Sequence, residues 1–270
     1  MIRFSNCKIN IGLYITGKRP DGYHNLETVF FPLPLYDVIE LIEAPETAIT
    51  VTGQLIPGRL EDNIIIKAWS LLKKDFPQLP SVHFYLLKNI PAGAGMGAGS
   101  ANGAHTLIAL NQKFSLQLTE EQLLQYALQL GSDCPFFILN RPVLATGRGE
   151  VFAGTHLDLS GYRIVIVNPG IHISTPWAFS RLQPATPLLP LEKSIVKPVQ
   201  EWKSFVFNDF EAAVFSEYTE IRNIKELLYH TGAVYALMSG SGSTVYGIFE
   251  KSQNVILNFP ENYFIRQINL

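Results

Sequence analysis

The stretch PAGAGMGAGSANGA, from Pro91 to Ala104, carries glycine at Gly93, Gly95, Gly97, Gly99 and Gly103, and it rules out more conformations than any other part of the chain. A glycine inside a helix costs about 1 kcal/mol relative to alanine, so five of them there would remove about a third or more of the ~5–15 kcal/mol that stabilises a typical domain. The first four are therefore expected outside a helix. An alternating run without β-branched residues is also a poor strand, whereas glycine supplies positive φ and lets another group approach the backbone closely. The segment reads as a loop wrapped around something, followed by a helix from about Ser100.

Three phosphate signatures compete for what the loop holds. The strict pattern GxxxxGK followed by Ser or Thr is nearly met from Gly12 to Lys18, but Arg19 takes the hydroxyl position and the intervening LYIT is strand-like. The dinucleotide pattern fits Gly93, Gly95 and Ala98, yet Lys88, Asn89, Ile90 and Pro91 intervene where a tight turn is needed. Its acidic partner is also misplaced, because Glu120 and Glu121 fall at a helix start. A glycine loop opening a helix presents unpaired N–H groups and the positive end of the helix dipole, which favours the polyphosphate of a nucleotide. Ser100 is then either a plain N-cap or a hydroxyl on the phosphates or their Mg²⁺.

An anion must be held locally, because 21 Lys and Arg against 23 Asp and Glu give a net charge of −2 and no basic field for nucleic acid. The N-terminus lacks a signal-type apolar core and no apolar run approaches the ~20 residues of a membrane span, so a cytoplasmic protein is expected. The chain has two cysteines, Cys7 and Cys134, which are expected to be buried, reduced thiols; no residue is assigned as a metal ligand.

Along the chain, IGLYIT and TVFFPL read as strands joined by the turn-forming GKRPDGYHN, and DVIELIEA and TAITVTG continue the β-rich opening. NIIIKAWSLLKKDF is an amphipathic helix, and VHFYLLKNI is a strand feeding the glycine loop. Thr119 and Gln122 have capping-box spacing before TEEQLLQYALQL, with Gly131 as its stop. A boundary is expected near Leu157 to Gly161, dividing the chain into 1–157 and 158–270, with RIVIVNPG opening the second part. RLQPATPLLPLEKSIVKP reads as an irregular excursion, EYTEIRNIKELLYHTG as a helix ending at Gly232, and AVYALMSGSGSTVYGIF as strand, turn and strand. Periodicity supports mixed α and β in two units.

Single residues stay ambiguous at this level. Asp133 in LGSDCPFF suits an N-cap, and Lys8 on the apolar strand NCKINIG either snorkels at an edge or faces a cavity or partner charge. Tyr23 and His24 after a turn either cover a core or stack on a base; Ser239 to Ser243 form a hairpin turn or a second phosphate loop.

In combination, KINIGLYITGKRPDGYHNLETVF, PAGAGMGAGSANGA, LGSDCPFF and LMSGSGSTVYGIF closely resemble the GHMP kinase superfamily over almost the whole chain. GKRPDGYHNLET is similar to the members that phosphorylate the 2-hydroxyl of 4-diphosphocytidyl-2-C-methylerythritol in the non-mevalonate isoprenoid pathway. The resemblance implies an α+β, two-lobed fold with an N-terminal ATP-binding lobe like ribosomal protein S5 domain 2 and a C-terminal ferredoxin-like substrate lobe. It implies that Pro91, Ala92, Gly93, Ala94, Gly95, Met96, Gly97, Ala98, Gly99, Ser100 and Ala101 wrap the phosphates of ATP, which carries Mg²⁺. Lys8 and Asp133 are then catalytic, at the reacting hydroxyl. Asn10, Tyr23, His24, Phe179, Asn208, Gly240 and Ser241 bind the substrate, with Tyr23 and Phe179 flanking cytosine and His24 reading its edge. The implied partner is a small molecule with a cytidine diphosphate group, bound by a monomer or weak homodimer without nucleic acid or membrane. Ala98 and Ala101 depart from the usual GLGGGSSNAA, and the Ala98 methyl is tolerable only where that residue avoids positive φ. The competing readings are a GHMP kinase acting on a mevalonate-type or homoserine substrate, a nucleotide-binding regulator without catalysis, and a nicotinamide-dependent oxidoreductase.

Overall fold

A computed structural model describes residues 1–182 and 189–270. The chain divides into two compact units of interleaved segments: 1–8, 32–92 and 97–141 form the first, and 9–31, 93–96 and 142–270 the second. The opening strands β1 (Ile2–Lys18) and β2 (His24–Glu43) give residues to both units, and each is far longer than IGLYIT or TVFFPL alone. Strand β2 runs unbroken through Pro32 and Pro34. These prolines fall outside its ladders to β5, at Thr28–Phe30, and to β4, at Val38–Glu43, so neither of those ladders loses an N–H there; β2 also pairs with β1.

In the first unit, β3 (Ala48–Gly53) pairs parallel with β4 (Val82–Lys88), and β4 pairs antiparallel with the Val38–Glu43 part of β2. Helices α1 (Ile64–Asp75), α2 (Ala98–Lys113), α3 (Glu120–Leu130) and α4 (Cys134–Leu139) supply the rest. Asn63 caps α1 by accepting from Ile65 N–H at 3.0 Å, and Thr119 and Gln122 form the expected capping box on α3. Ile39, Leu41, Phe84 and Leu86 of the strands pack with Ile65, Leu72, Leu107, Leu110 and Ala127 of the helices in one buried cluster.

The second unit holds β5 (Val143–Thr146), β6 (Val151–Gly154), β7 (Tyr162–Asn168), α5 (Thr175–Ser180), α6 (Leu191–Ile195), α7 (Phe210–Glu217), α8 (Thr219–His230), β8 (Tyr235–Met238), β9 (Val245–Glu250) and β10 (Phe264–Asn269). Its sheet has the order β10-β7-β9-β8 with every neighbouring pair antiparallel, so β7 and β8 lie parallel on either side of β9. That is the split arrangement of a ferredoxin-like lobe. Val165, Val167, Ala236, Met238, Val245 and Phe249 of this sheet share a core with Val214, Ile221, Ile224 and Leu228 of α7 and α8. The stretch RLQPATPLLPLEKSIVKP is not wholly irregular: residues 183–188 lie outside the described residues, but LEKSI forms α6 with Leu191 fully buried.

His105, buried in α2, shares a 3.1 Å hydrogen bond through Nε2 with Asn6 Oδ1. Burial pulls its pKa down to about 4, with Arg3 adding to the shift. The unfolded chain therefore binds a proton from about pH 6.5 downward that the folded chain refuses until about pH 4, so stability is lost as pH falls through that window. The expected loss at pH 4.5 is about 2–3 kcal/mol more for the wild type than for His105→Gln, read from urea midpoints at pH 7 and 4.5. Equal losses in the two proteins would contradict this assignment.

Candidate active site

The glycine loop lies between β4 and α2, and its small residues alternate in role. Ala94, Met96 and Ala98 are buried and anchor it, Gly93 and Gly99 are exposed, and Gly95 and Gly97 are half-buried. A Cβ added at Gly99 would meet nothing within 4 Å, so the backbone is open there rather than packed shut. Gly97 is the N-cap of α2 at φ +64°, and the helix begins at Ala98, two residues before the expected start. Ser100 is therefore not the N-cap; it stands in the first turn, with its hydroxyl near the Cys134 thiol. Ala98 takes a helical conformation, which explains why its methyl is tolerated. The first helical bond runs from Ala101 N–H to Gly97 O at 2.9 Å, leaving the amides of Ala98, Gly99 and Ser100 without a helical carbonyl.

Lys8, only 4% exposed on β1, places Nζ 3.5 Å from Asp133 Oδ2, while the Asp133 side chain keeps 35% of its surface in solvent. Asp133 occupies the N-cap position of α4 but makes no side-chain cap hydrogen bond; its carboxylate turns to the lysine instead. A Cβ on Gly97 would fall 3.0 Å from Lys8 Cε and 3.1 Å from Phe137 Cζ, so the last turn of the glycine loop lies directly on the lysine stem. Burial lowers the Lys8 pKa, and the Asp133 charge opposes that shift. Cys7 and Cys134 are buried free thiols, both pushed up to about 12 by burial, so neither is a nucleophile at neutral pH.

The turn joining β8 to β9 seats the other half of the loop. Ser239 Oγ donates to Gly95 O at 2.8 Å, and Thr244 N–H donates to Ala94 O at 3.3 Å. At Gly95, φ is +78° and a Cβ would stand 2.2 Å from Ser239 O, so the two glycine motifs touch backbone to backbone. Asn10 joins them: its N–H donates to Ser239 Oγ at 3.1 Å and its Nδ2 to Thr28 Oγ1 at 3.0 Å. Gly240, at φ +60°, sits over Gly95, and Ser241 Oγ is 3.1 Å from Thr175 Oγ1 at the start of α5. Asn208, expected to line the substrate, uses both functions of its amide on the protein. Nδ2 donates to Met238 O and Gly240 O, each at 2.8 Å, and Oδ1 accepts from Phe210 N–H at 3.0 Å, so it shapes this turn.

The aromatic candidates also lie in the second unit. His24 stacks on Phe179 at 4.9 Å between ring centroids and 19° between planes, and Phe210 meets Phe179 edge-on at 5.0 Å. Tyr23 is 56% exposed, with the Arg148 guanidinium 5.1 Å from its ring centroid. Glu150 fixes Arg148, accepting from its N–H at 2.6 Å and its Nε at 3.4 Å. Arg148 and Glu150 escaped the sequence reading; their one signal there was the two-glycine stretch TGRGE.

Two family models match the chain: GHMP kinases N terminal domain over residues 63–141 and GHMP kinases C terminal over 197–264. The 4-diphosphocytidyl-2-C-methyl-D-erythritol kinase of Bacteroides fragilis (strain YCH46) is 49% identical over 259 residues, covering 94% of each chain. The protein of the same name from Cytophaga hutchinsonii is 45% identical, covering 92% of each. A crystal structure of 4-(cytidine 5'-diphospho)-2C-methyl-D-erythritol kinase superposes with TM-score 0.79 at 30% identity, over 92% of this chain and 90% of that one. With matches to both domains and near full-length similarity to these relatives, the chain belongs to the GHMP kinase family and, within it, to the group of 4-diphosphocytidyl-2-C-methyl-D-erythritol kinases.

Proposed function

We propose that this chain transfers the γ-phosphoryl group of ATP to the 2-hydroxyl of 4-diphosphocytidyl-2-C-methyl-D-erythritol, a step of the non-mevalonate route to isoprenoid precursors, releasing ADP. The observation that carries the reading is the buried Lys8 ammonium beside a solvent-reaching Asp133, under the glycine that opens α2. Phosphoryl transfer passes through a loose transition state, so positioning and charge stabilisation dominate. The amides of Ala98, Gly99 and Ser100 hold phosphate oxygens at the positive end of α2. Asp133 orients the acceptor hydroxyl and takes its proton as the new O–P bond forms, while Lys8 offsets the negative charge that develops.

Among the described residues no group of three or more His, Cys, Asp or Glu could hold a metal. Mg²⁺ would arrive with the nucleotide, and the Ser100 hydroxyl is the protein oxygen that would reach it. Bound there, Mg²⁺ would neutralise phosphate charge.

At the other end of the substrate, Tyr23 and Phe179 flank cytosine and His24 bonds its edge, which requires His24 to swing off the Phe179 ring it covers in this structure. Gly240 and Ser241 line the substrate and phosphates. No described helix is long and apolar enough to cross a membrane. We further propose a cytoplasmic enzyme that acts as a monomer or weak homodimer.

An ADP-release assay tests this reading, with the cytidyl substrate compared against mevalonate and homoserine. Phe179→Ser is expected to raise KM for the cytidyl substrate about tenfold, in the range of one lost base–aromatic stack, with KM for ATP unchanged. ADP release that ignores the cytidyl substrate, or faster turnover of either other alcohol, would defeat the assignment.

A further inference from the structure

Strand β2 carries a carboxylate with no place in the proposed chemistry. Asp37 is completely buried and accepts four hydrogen bonds: from Lys88 Nζ at 2.5 Å, Asn89 N–H at 2.8 Å, Ile90 N–H at 2.9 Å and Asn102 Nδ2 at 3.1 Å. The first three donors are consecutive residues leading from the end of β4 to Pro91, and Asn102 stands in α2 just beyond the glycine loop. A single carboxylate thus ties the entry of the loop to its exit.

A buried ion pair is a poor device for stability alone, because desolvating both charges offsets most of their attraction and apolar replacements of similar volume often serve as well. It does impose geometry, since the lone pairs of one carboxylate fix where several donors must stand. Asn102 points the same way. Its Oδ1 is buried with no hydrogen-bond partner among the described residues, so the donation from Nδ2 to Asp37 is what its amide accomplishes. Burial lowers the Lys88 pKa against the pull of Asp37, the cost of keeping that cation out of water.

We infer that Asp37 is a positioning residue for the nucleotide: it fixes the separation of the two ends of the 91–97 loop and thereby sets the grip of the loop on the ATP triphosphate. The inference rests on the phosphate-binding role proposed for that loop. Asp37→Asn weakens the hold on Lys88 and is expected to raise KM for ATP about tenfold, while KM for the cytidyl substrate stays within about twofold. Asn102→Ala removes only the exit arm and is expected to raise KM for ATP about threefold or more, again with the other KM steady. A merely structural role would lower the amount of active enzyme and its melting temperature with both KM values unchanged, and that result overturns the inference. Where Asp37→Asn yields no folded protein, Asn102→Ala decides alone. Amide hydrogen exchange of the wild-type chain with a non-hydrolysable ATP analogue separates the two levels of the argument. Protection of residues 93–100 together with unchanged KM values in the variants rejects Asp37 only; absence of protection removes the role of the loop and this inference with it.

Discussion

Asp133→Asn is expected to lower kcat by about 10²–10⁴-fold, the usual worth of a positioned acid–base group, with KM for both substrates changed by less than about threefold. Asparagine keeps the shape and one acceptor oxygen, so the acceptor hydroxyl still finds its place. What it lacks is the charge, and two consequences follow. It cannot take the hydroxyl proton, and it leaves Lys8, 4% exposed and with its pKa already lowered by burial, without the carboxylate that opposes that shift. Lys8→Met should lower kcat by a comparable ~10²–10³-fold, because it removes a charge aimed at the transferring phosphoryl group from a site shielded from water. Steady-state kinetics with ATP and the cytidyl substrate, alongside circular dichroism to show intact folding, check both. Near-normal turnover by Asp133→Asn would remove it from the chemistry and return it to a purely backbone role at the start of α4.

Gly95→Ala is expected to lower kcat/KM for ATP by about 10²-fold or more, since a loop displaced by about 1 Å loses that much alignment. Its positive φ disfavours any side chain, and its Cβ would strike the carbonyl of Ser239 at 2.2 Å and approach that of Gly242 at 3.0 Å. Backbone on both sides leaves no flexible group to yield. Gly99→Ala gives the complementary result. That position is helical with open space around it, so the methyl should be neutral or stabilising by up to about 1 kcal/mol, in line with helix propensity. If phosphate oxygens approach the Gly99 amide, the same methyl obstructs them, and KM for ATP rises about tenfold with no loss of melting temperature. Unchanged ATP kinetics in both variants would mean that the nucleotide binds elsewhere.

How far the amino-acid sequence reveals this site depends on how local each signal is. The capping box of Thr119 and Gln122, the strand that feeds the glycine loop and the helix end before Gly232 involve neighbours within a few residues, and all three are present. The length of β1 and β2 is hidden because Pro32 and Pro34 break the pattern, and only the pairing of β2 with β1, with its separate ladders to β5 and β4, shows how the strand continues through them. Asp133 was ambiguous for a similar reason. Capping and pairing differ by one side-chain rotation, and the partner that decides it, Lys8, lies near the opposite end of the first unit's sequence. Asn208 bonds through Nδ2 to Met238 and Gly240, residues of a distant turn that its own neighbours in sequence do not reveal. Asp37 and Arg148 gave almost no signal. Each acts through side chains or amides far along the chain, Asp37 on Asn102 and Arg148 on Tyr23, and composition or periodicity does not encode such encounters. The family resemblance supplied what locality could not, namely which isolated residues belong together.

A crystal structure of the chain with a non-hydrolysable ATP analogue and the cytidyl substrate tests the central claim most directly. The account predicts phosphate oxygens on the amides of Ala98, Gly99 and Ser100, with the γ-phosphorus aimed at the substrate 2-hydroxyl beside Lys8 Nζ and Asp133 Oδ2. A triphosphate held away from those amides, or a 2-hydroxyl out of reach of Asp133, would contradict it.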